Sequence, residues 1–260
     1  MTDPAREYAG DQFTEDAFLG GQLRLRQPKS GHRAGHDAML LAAATRARPG
    51  DRVVDFGAGV GAAGLAVARR VAGIKLALVE IDPRLAGLAR ENAAANAINA
   101  DVIVLDLTAQ ASAFAAVGLC PDSVDVVLMN PPFNDPSRHR ASPDKARETA
   151  HVAGVGMLES WIDAARRILR SGGVLTLIWR ADGLAEILAA LDHGFGSLAI
   201  LPVHGTAKMP AIRVLVRAVK GGRAPTQIHA GLILNDEQSL PNKSLQEILD
   251  GKGLLPLANQ

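Results

Sequence analysis

From Asp51 to Lys220, apolar runs of strand length alternate with alanine-rich stretches of helix length. That alternation restricts the chain to a mostly parallel sheet with helices on both faces. Strands are predicted over 52–56, 75–81, 101–105, 123–129, 174–179, 197–202 and 212–219, and helices over 62–71, 83–97, 107–117, 150–170 and 182–191. Pro83 suits a first helical turn, and Ser171-Gly172-Gly173 should stop the long helix. The segment ending near Pro210 is too short for a helical crossover, so the last two strands should pair antiparallel. The expected class is α/β, with seven strands and an antiparallel last one.

The flanks are read from the same signals. Phe18 to Arg26 alternates apolar and polar residues around Gly20-Gly21, which predicts a hairpin or edge strand. Residues 37–46 form a short helix, 227–234 one more strand and 243–249 another helix. We divide the chain into a substrate-side extension at 1–48, a cofactor-binding domain at 49–220 and a C-terminal extension at 221–260.

Composition excludes several classes. At 48% hydrophobic and 21% charged residues the chain is too apolar for disorder. No apolar run approaches ~18 residues, and the amino terminus lacks a basic stretch followed by an apolar one, so a cytoplasmic protein without a membrane partner is expected. The single Cys120 and seven histidines without ligand spacing point to no metal. Oligomeric state has no sequence signal. Net charge is only +1, yet Arg24, Arg26, Lys29 and Arg33 fall in 22–36 without an acid, as do Lys208, Arg213, Arg217, Lys220 and Arg223 in 206–223. Such clusters are either solvated faces or a nucleic-acid surface, and the topology can bring both toward one side of the site.

After the first strand, Asp55-Phe56-Gly57-Ala58-Gly59-Val60-Gly61-Ala62-Ala63-Gly64 lets a backbone turn lie against a small molecule. Residues 59–64 also match the nicotinamide fingerprint, with Glu80 near the offset of a ribose-binding acid. Two features favour S-adenosylmethionine. Asp55, ahead of the first glycine, suits a cationic sulfonium with an amino-acid tail and not a pyrophosphate. Asn130-Pro131-Pro132-Phe133 then follows the fourth strand at the carboxyl edge of the sheet, beside the glycine loop.

Chemistry explains that second motif. An amine conjugated to an aromatic ring, or an amide nitrogen, holds its lone pair in the π system. Two acceptors on its N–H bonds, the Asn130 side-chain oxygen and the Pro131 carbonyl, pull the nitrogen toward tetrahedral geometry and free the lone pair. Prolines stiffen the loop and donate no competing N–H. Phe133 can stack on a base. His139 and His151 are expected at the surface, and Trp161 and Trp179 in the core.

Residues 50–180 resemble class I S-adenosylmethionine-dependent methyltransferases of the amino-methylating branch, with their Rossmann-like sheet. From about Phe18 to Ala230 the chain is similar to the family that methylates the exocyclic amine of an adenine beside the anticodon of a valine tRNA. Leu23-Arg24-Leu25-Arg26-Gln27-Pro28, Gly35-His36-Asp37-Ala38-Met39-Leu40-Leu41 and Ala146-Arg147-Glu148-Thr149 carry that narrower likeness. The resemblance implies that Gly57, Gly59 and Gly61 line the methionine part, that Glu80 grips the ribose hydroxyls and that Asp106 approaches the cofactor adenine. Asp106 could equally cap a helix starting at Leu107, and Asp37 is expected to cap its own helix. The partner would be tRNA or another structured RNA, held by Arg24, Arg26 and Lys29.

Other readings stay open. A glutamine amide in a translation factor poses the same electronic problem, but enzymes of that kind usually carry a helical domain ahead of the core. A small-molecule oxygen acceptor would want a base or metal. A catalytically silent cofactor-binding module would have no use for Asn130 and Phe133, and an oxidoreductase would prefer a nicotinamide dinucleotide.

Overall fold

Two antiparallel strands, β1 (Phe13–Phe18) and β2 (Leu23–Pro28), open the computed structural model, which describes residues 13–29, 33–132, 143–236, 238 and 240–259, without the side chains of 143–155. Their turn contains Gly20 and Gly21 at φ +61° and +90°, conformations that glycine adopts without a Cβ penalty. There follow α1 (His36–Ala44), β3 (Arg52–Phe56), α2 (Ala62–Arg70), β4 (Lys75–Glu80), α3 (Pro83–Ala95), β5 (Ala100–Val104), α4 (Ala111–Ala116), β6 (Val124–Met129), α5 (Pro143–Ile168) and β7 (Leu169–Arg180). The chain continues through α6 (Leu184–Leu191), β8 (Phe195–His204), β9 (Ala211–Lys220), β10 (Gln227–Ile228), β11 (Leu232–Ile233) and α7 (Lys243–Leu249).

The main sheet runs β10-β8-β9-β7-β6-β3-β4-β5, with β11 also on β8. Strands β3 to β7 are parallel, and β9 is antiparallel to both β7 and β8. This is the expected Rossmann-like α/β sheet with its antiparallel last core strand. One face carries a core shared by α1, α2, α3, the hairpin and α7. The other packs against α4, α5 and α6.

Several boundaries differ from expectation, each for a local reason. The helix expected from Leu107 begins at Ala111, because Asp106 Oδ1 accepts the Thr108 backbone N–H and hydroxyl at 2.8 and 2.7 Å and folds the chain into a turn first. Asp106 therefore caps no helix. Helix α5 ends at Ile168, before the Ser171-Gly172-Gly173 stop, because Leu169 already pairs with Val124 and residues 170–173 bulge from β7. Gly173 has no room for a Cβ, which would meet the Arg170 carbonyl oxygen at 2.8 Å. The extra C-terminal strand is broken into β10 and β11.

The hairpin alternates as a half-buried strand must. Leu23, Leu25 and Gln27 are buried while Arg24 and Arg26 face solvent. We predict that Leu25→Ala costs about 2–5 kcal/mol in chemical denaturation, through lost burial and the cavity left. Arg24→Ala, one residue away, should cost less than about 1 kcal/mol, since its partner Glu15 is equally solvated.

Candidate active site

At the carboxyl edge of the sheet, β3 ends beside β4 and β6 and leaves a cleft of about 490 Å³, open to solvent. Its walls are Asp55 and the glycine loop, with Ala34 and Ala38 from the start of α1, Ala62 and Ala63 from α2, Leu85 from α3, and Asn130 after β6. The alanines and Leu85 leave a small apolar wall that no sequence signal singled out.

The three glycines serve different ends. Gly57, at φ +67°, backs onto the Trp161 ring of α5, where a Cβ would come within 2.4 Å of the ring edge. A Cβ on Gly59, at φ +57°, would meet nothing within 4 Å, so this backbone is open to a ligand. Gly61, at φ +90°, precedes α2, and a Cβ there would touch Leu78 and Leu65 at 3.0 and 3.1 Å. Gly57 and Gly59 thus line the cleft and Gly61 turns the chain behind it. Trp161 is half-buried and Trp179 is 2% exposed, both against the core.

Two buried carboxylates hold the loop. Glu80 Oε2 accepts the Gly59 N–H at 2.8 Å and Oε1 accepts the Asp82 N–H at 2.9 Å, so its first role is to close the loop over the end of β4. It is buried and is not among the residues that line the cleft. Asp55 Oδ2 accepts the Gly64 N–H at 2.8 Å inside α2. Burial pushes the Asp55 carboxyl up to about 7, the Gly64 N–H opposes this, and the nearby Glu80 charge adds to it. Asp106 is exposed and outside the cleft lining.

Asn130 reaches the cleft with its Oδ1 buried and without a hydrogen-bond partner among the described residues. A buried amide oxygen left in this state costs about 1–3 kcal/mol until something donates to it. Pro131 is buried and Pro132 exposed. Phe133 and His139 lie outside the described residues, as does the His151 side chain. Asp37 does not cap α1, whose N-cap is Gly35; it sits in the first turn and accepts Arg213 Nε from β9 at 3.0 Å.

The basic clusters are less bare than their local sequences suggest. Arg24 pairs with Glu15 at 3.2 Å, Arg26 with Glu91 at 3.0 Å while stacking on Phe13, and Arg33 with Asp16 at 2.5 Å. Lys29 is exposed. The second cluster does not gather on one side of the site. Arg213 lies at the cleft edge, Arg217 is buried, and Lys220 bonds Asp122 at the opposite edge, ~23 Å along the strand at ~3.3 Å per residue. Among the described residues no group of three or more potential ligands could hold a metal, and no helix is long and apolar enough to cross a membrane.

A loop bare of side chains at Gly59, a buried acid facing the cleft, an apolar wall and an acceptor without a partner among the described residues together fit S-adenosylmethionine as the cofactor of a methyl transfer. Comparison with known proteins agrees. The family profile described as methyltransferase small domain matches residues 31–205. A tRNA1(Val) (adenine(37)-N6)-methyltransferase of Erwinia tasmaniensis is 28% identical over 203 residues, 77% of this chain and 80% of that protein. A release factor glutamine methyltransferase of Chlorobaculum tepidum is 28% identical over 156 residues, 57% of this chain and 52% of that protein. Among solved structures, a protein of Agrobacterium tumefaciens described as a predicted O-methyltransferase superposes with TM-score 0.70 at 34% identity, over 84% of this chain and 98% of that one.

The raised Asp55 carboxyl sets a pH dependence. Without ligand, the folded chain keeps a proton that the unfolded chain releases near pH ~4, so stability should fall as pH rises from ~4 to about 7. A cationic ligand favours the carboxylate, so S-adenosylmethionine should bind more tightly as pH rises from about 6 to about 8, releasing a proton that calorimetry in two buffers detects. Asp55→Asn should flatten both dependences, and unchanged slopes would remove Asp55 from the titration.

Proposed function

The chain belongs to the methyltransferase small domain family and is an S-adenosylmethionine-dependent methyltransferase, and on that premise we propose that it methylates the exocyclic amine of an adenine in tRNA or another structured RNA. The observation that supports this most is the buried Asn130 Oδ1 in the cleft, which has no hydrogen-bond partner among the described residues. An acceptor prepared in this way selects a nucleophile that brings its own hydrogen, and with the Pro131 carbonyl as a second acceptor it favours an –NH2 group over a hydroxyl, which has only one hydrogen to give.

In this reading Asn130 Oδ1 takes one amine hydrogen and the Pro131 carbonyl the other. Both act as fixed dipoles, placed before the substrate arrives and needing no reorganisation as charge builds on nitrogen. The bound cofactor supplies an electrophilic methyl on sulfur. Once methylated, the nitrogen carries an excess proton that is acidic enough to leave to solvent, so the site needs no poised base. Phe133 is proposed to stack on the target base. Gly57, Gly59 and Asp55 would flank the methionine end of the cofactor, Glu80 its ribose, and Asp106 its adenine.

The RNA reading draws on the relative from Erwinia tasmaniensis and on Arg24, Arg26 and Lys29, which are exposed beside β2. Their acidic partners do not forbid it, because a solvated ion pair is worth at most about 1 kcal/mol and a phosphate can displace the carboxylate. The same Asn130 acceptor would also serve a glutamine amide, as the name of the Chlorobaculum tepidum relative suggests.

Two measurements check this. Asn130→Ala should lower single-turnover methylation by roughly two to three orders of magnitude while S-adenosylmethionine affinity barely moves; a variant keeping half the rate would reduce Asn130 to a turn residue. The logarithm of tRNA affinity should fall linearly with the logarithm of salt, and replacing Arg24, Arg26 and Lys29 together with Ala should flatten that slope by about two to three units. Equal methylation of a release-factor peptide without salt dependence would instead favour the amide acceptor.

A further inference from the structure

Helix α3 presents two buried asparagines toward the hairpin, Asn92 at 2% and Asn96 at 8% exposure. Asn92 Oδ1 accepts the Arg26 backbone N–H at 2.7 Å, and its Nδ2 donates to the Arg26 carbonyl at 3.1 Å. Asn96 repeats the arrangement on Arg24, accepting its N–H at 3.0 Å and donating to its carbonyl at 2.6 Å. Geometry explains the match. Four residues along a helix advance ~6 Å, and two along a strand ~6.7 Å, so amides at i and i+4 meet alternate peptide groups of β2 as a neighbouring strand would.

The two asparagines differ in one respect. Asn92 Nδ2 also donates to the Val60 carbonyl at 3.0 Å, within the glycine loop that lines the cleft. Asn96, the C-cap of α3, makes its remaining side-chain bond to the Asn92 backbone carbonyl at 2.8 Å. A second path leaves β2 through Gln27, which is 1% exposed: its Oε1 accepts the N–H of Ala34, another residue lining the cleft, at 2.8 Å. Strand β2 is therefore tied to the cofactor cleft at two lining residues, Val60 and Ala34, while its exposed face carries Arg24 and Arg26.

We infer that Asn92 is a positioning residue that couples the glycine loop to β2, so that occupancy of the cofactor cleft orders the hairpin beside which the acceptor is gripped. The coupling is reciprocal, since whatever bias a ligand places on the Val60 carbonyl is transmitted through one side-chain amide to the Arg26 peptide. Neither asparagine touches the reacting atoms. The inference rests on the cofactor assignment and not on the identity of the acceptor.

Hydrogen exchange on the full chain tests it. In the wild type, saturating S-adenosylmethionine should slow exchange of the Arg24 and Arg26 amides several-fold. In Asn92→Ala that protection should vanish, and cofactor affinity should drop about fivefold, the scale of one lost neutral hydrogen bond. Asn96→Ala should loosen β2 in the absence of ligand yet leave cofactor affinity within about twofold. Asn92→Gln, which keeps the amide on a longer arm, should restore part of the protection. If Asn92→Ala unfolds the chain, Asn92→Asp tests the same link by removing the Nδ2 donor to Val60 and to the Arg26 carbonyl while keeping the acceptor for the Arg26 N–H. Wild-type β2 that binds cofactor without added protection, or an Asn96→Ala variant that loses affinity as much as Asn92→Ala, would overturn the coupling. A wild type that bound no S-adenosylmethionine would instead defeat the functional assignment.

Discussion

The turn between β3 and α2 uses glycines at φ +67°, +57° and +90° within five residues, a path that exposes bare backbone and gains little from its own side chains. What holds it is a pair of buried carboxylates, Glu80 on the Gly59 N–H and Asp55 on the Gly64 N–H. Burying two acids side by side is unfavourable, and the rise of the Asp55 carboxyl to about 7 is the mark of that cost. The arrangement persists because each acid satisfies a backbone donor that would otherwise be orphaned. A cationic ligand would offset the remaining penalty. The protein thus stores a preference for positive charge in the wall of its cleft before anything binds.

Asn130 expresses the same logic at the end of the neighbouring strand β6. A buried amide oxygen without a partner among the described residues is a local cost, and Pro131 and Pro132 after it restrict the backbone that could turn the side chain to water. A preference for positive charge and a buried acceptor thus stand at the ends of two neighbouring strands, since Phe56 of β3 pairs with Met129 of β6. The hairpin adds a third element. Its charged face is held in register by two asparagine amides at the C-terminal end of α3, so the hairpin is built onto the helix that follows β4.

Much of this was legible in the sequence because it rests on local patterns. Alternating strand and helix runs predicted the strands of the sheet within a few residues, and the short link near Pro210 predicted its antiparallel end. Gly57 to Gly64 and Asn130 to Pro132 declared themselves through backbone requirements that few other functions impose. Where local rules competed, the reading slipped. Asp106 resembled a helix cap and instead folds a turn onto Thr108 that delays α4 to Ala111; Asp37 resembled another, and its carboxylate went to Arg213, 176 residues away.

The rest depended on elements distant in sequence coming together. Arg24 and Arg26 stand in an acid-free stretch, but folding brings Glu15 and Glu91 to them, so their apparent excess charge is largely answered. Lys220 and Arg213 seem one cluster until an extended strand separates them across the sheet. An alanine-rich helix with asparagines four apart looks unremarkable until β2 lies against it. The sequence by itself determined the α/β class, the ligand-binding turn and the polar motif beside it, because backbone conformation and hydrophobic period act over a few residues. Only the tertiary structure decided which charges are neutralised, which carboxylate titrates near neutrality and which amide joins hairpin to cleft, because Coulomb interactions, burial and hydrogen bonds depend on distance in space and not along the chain.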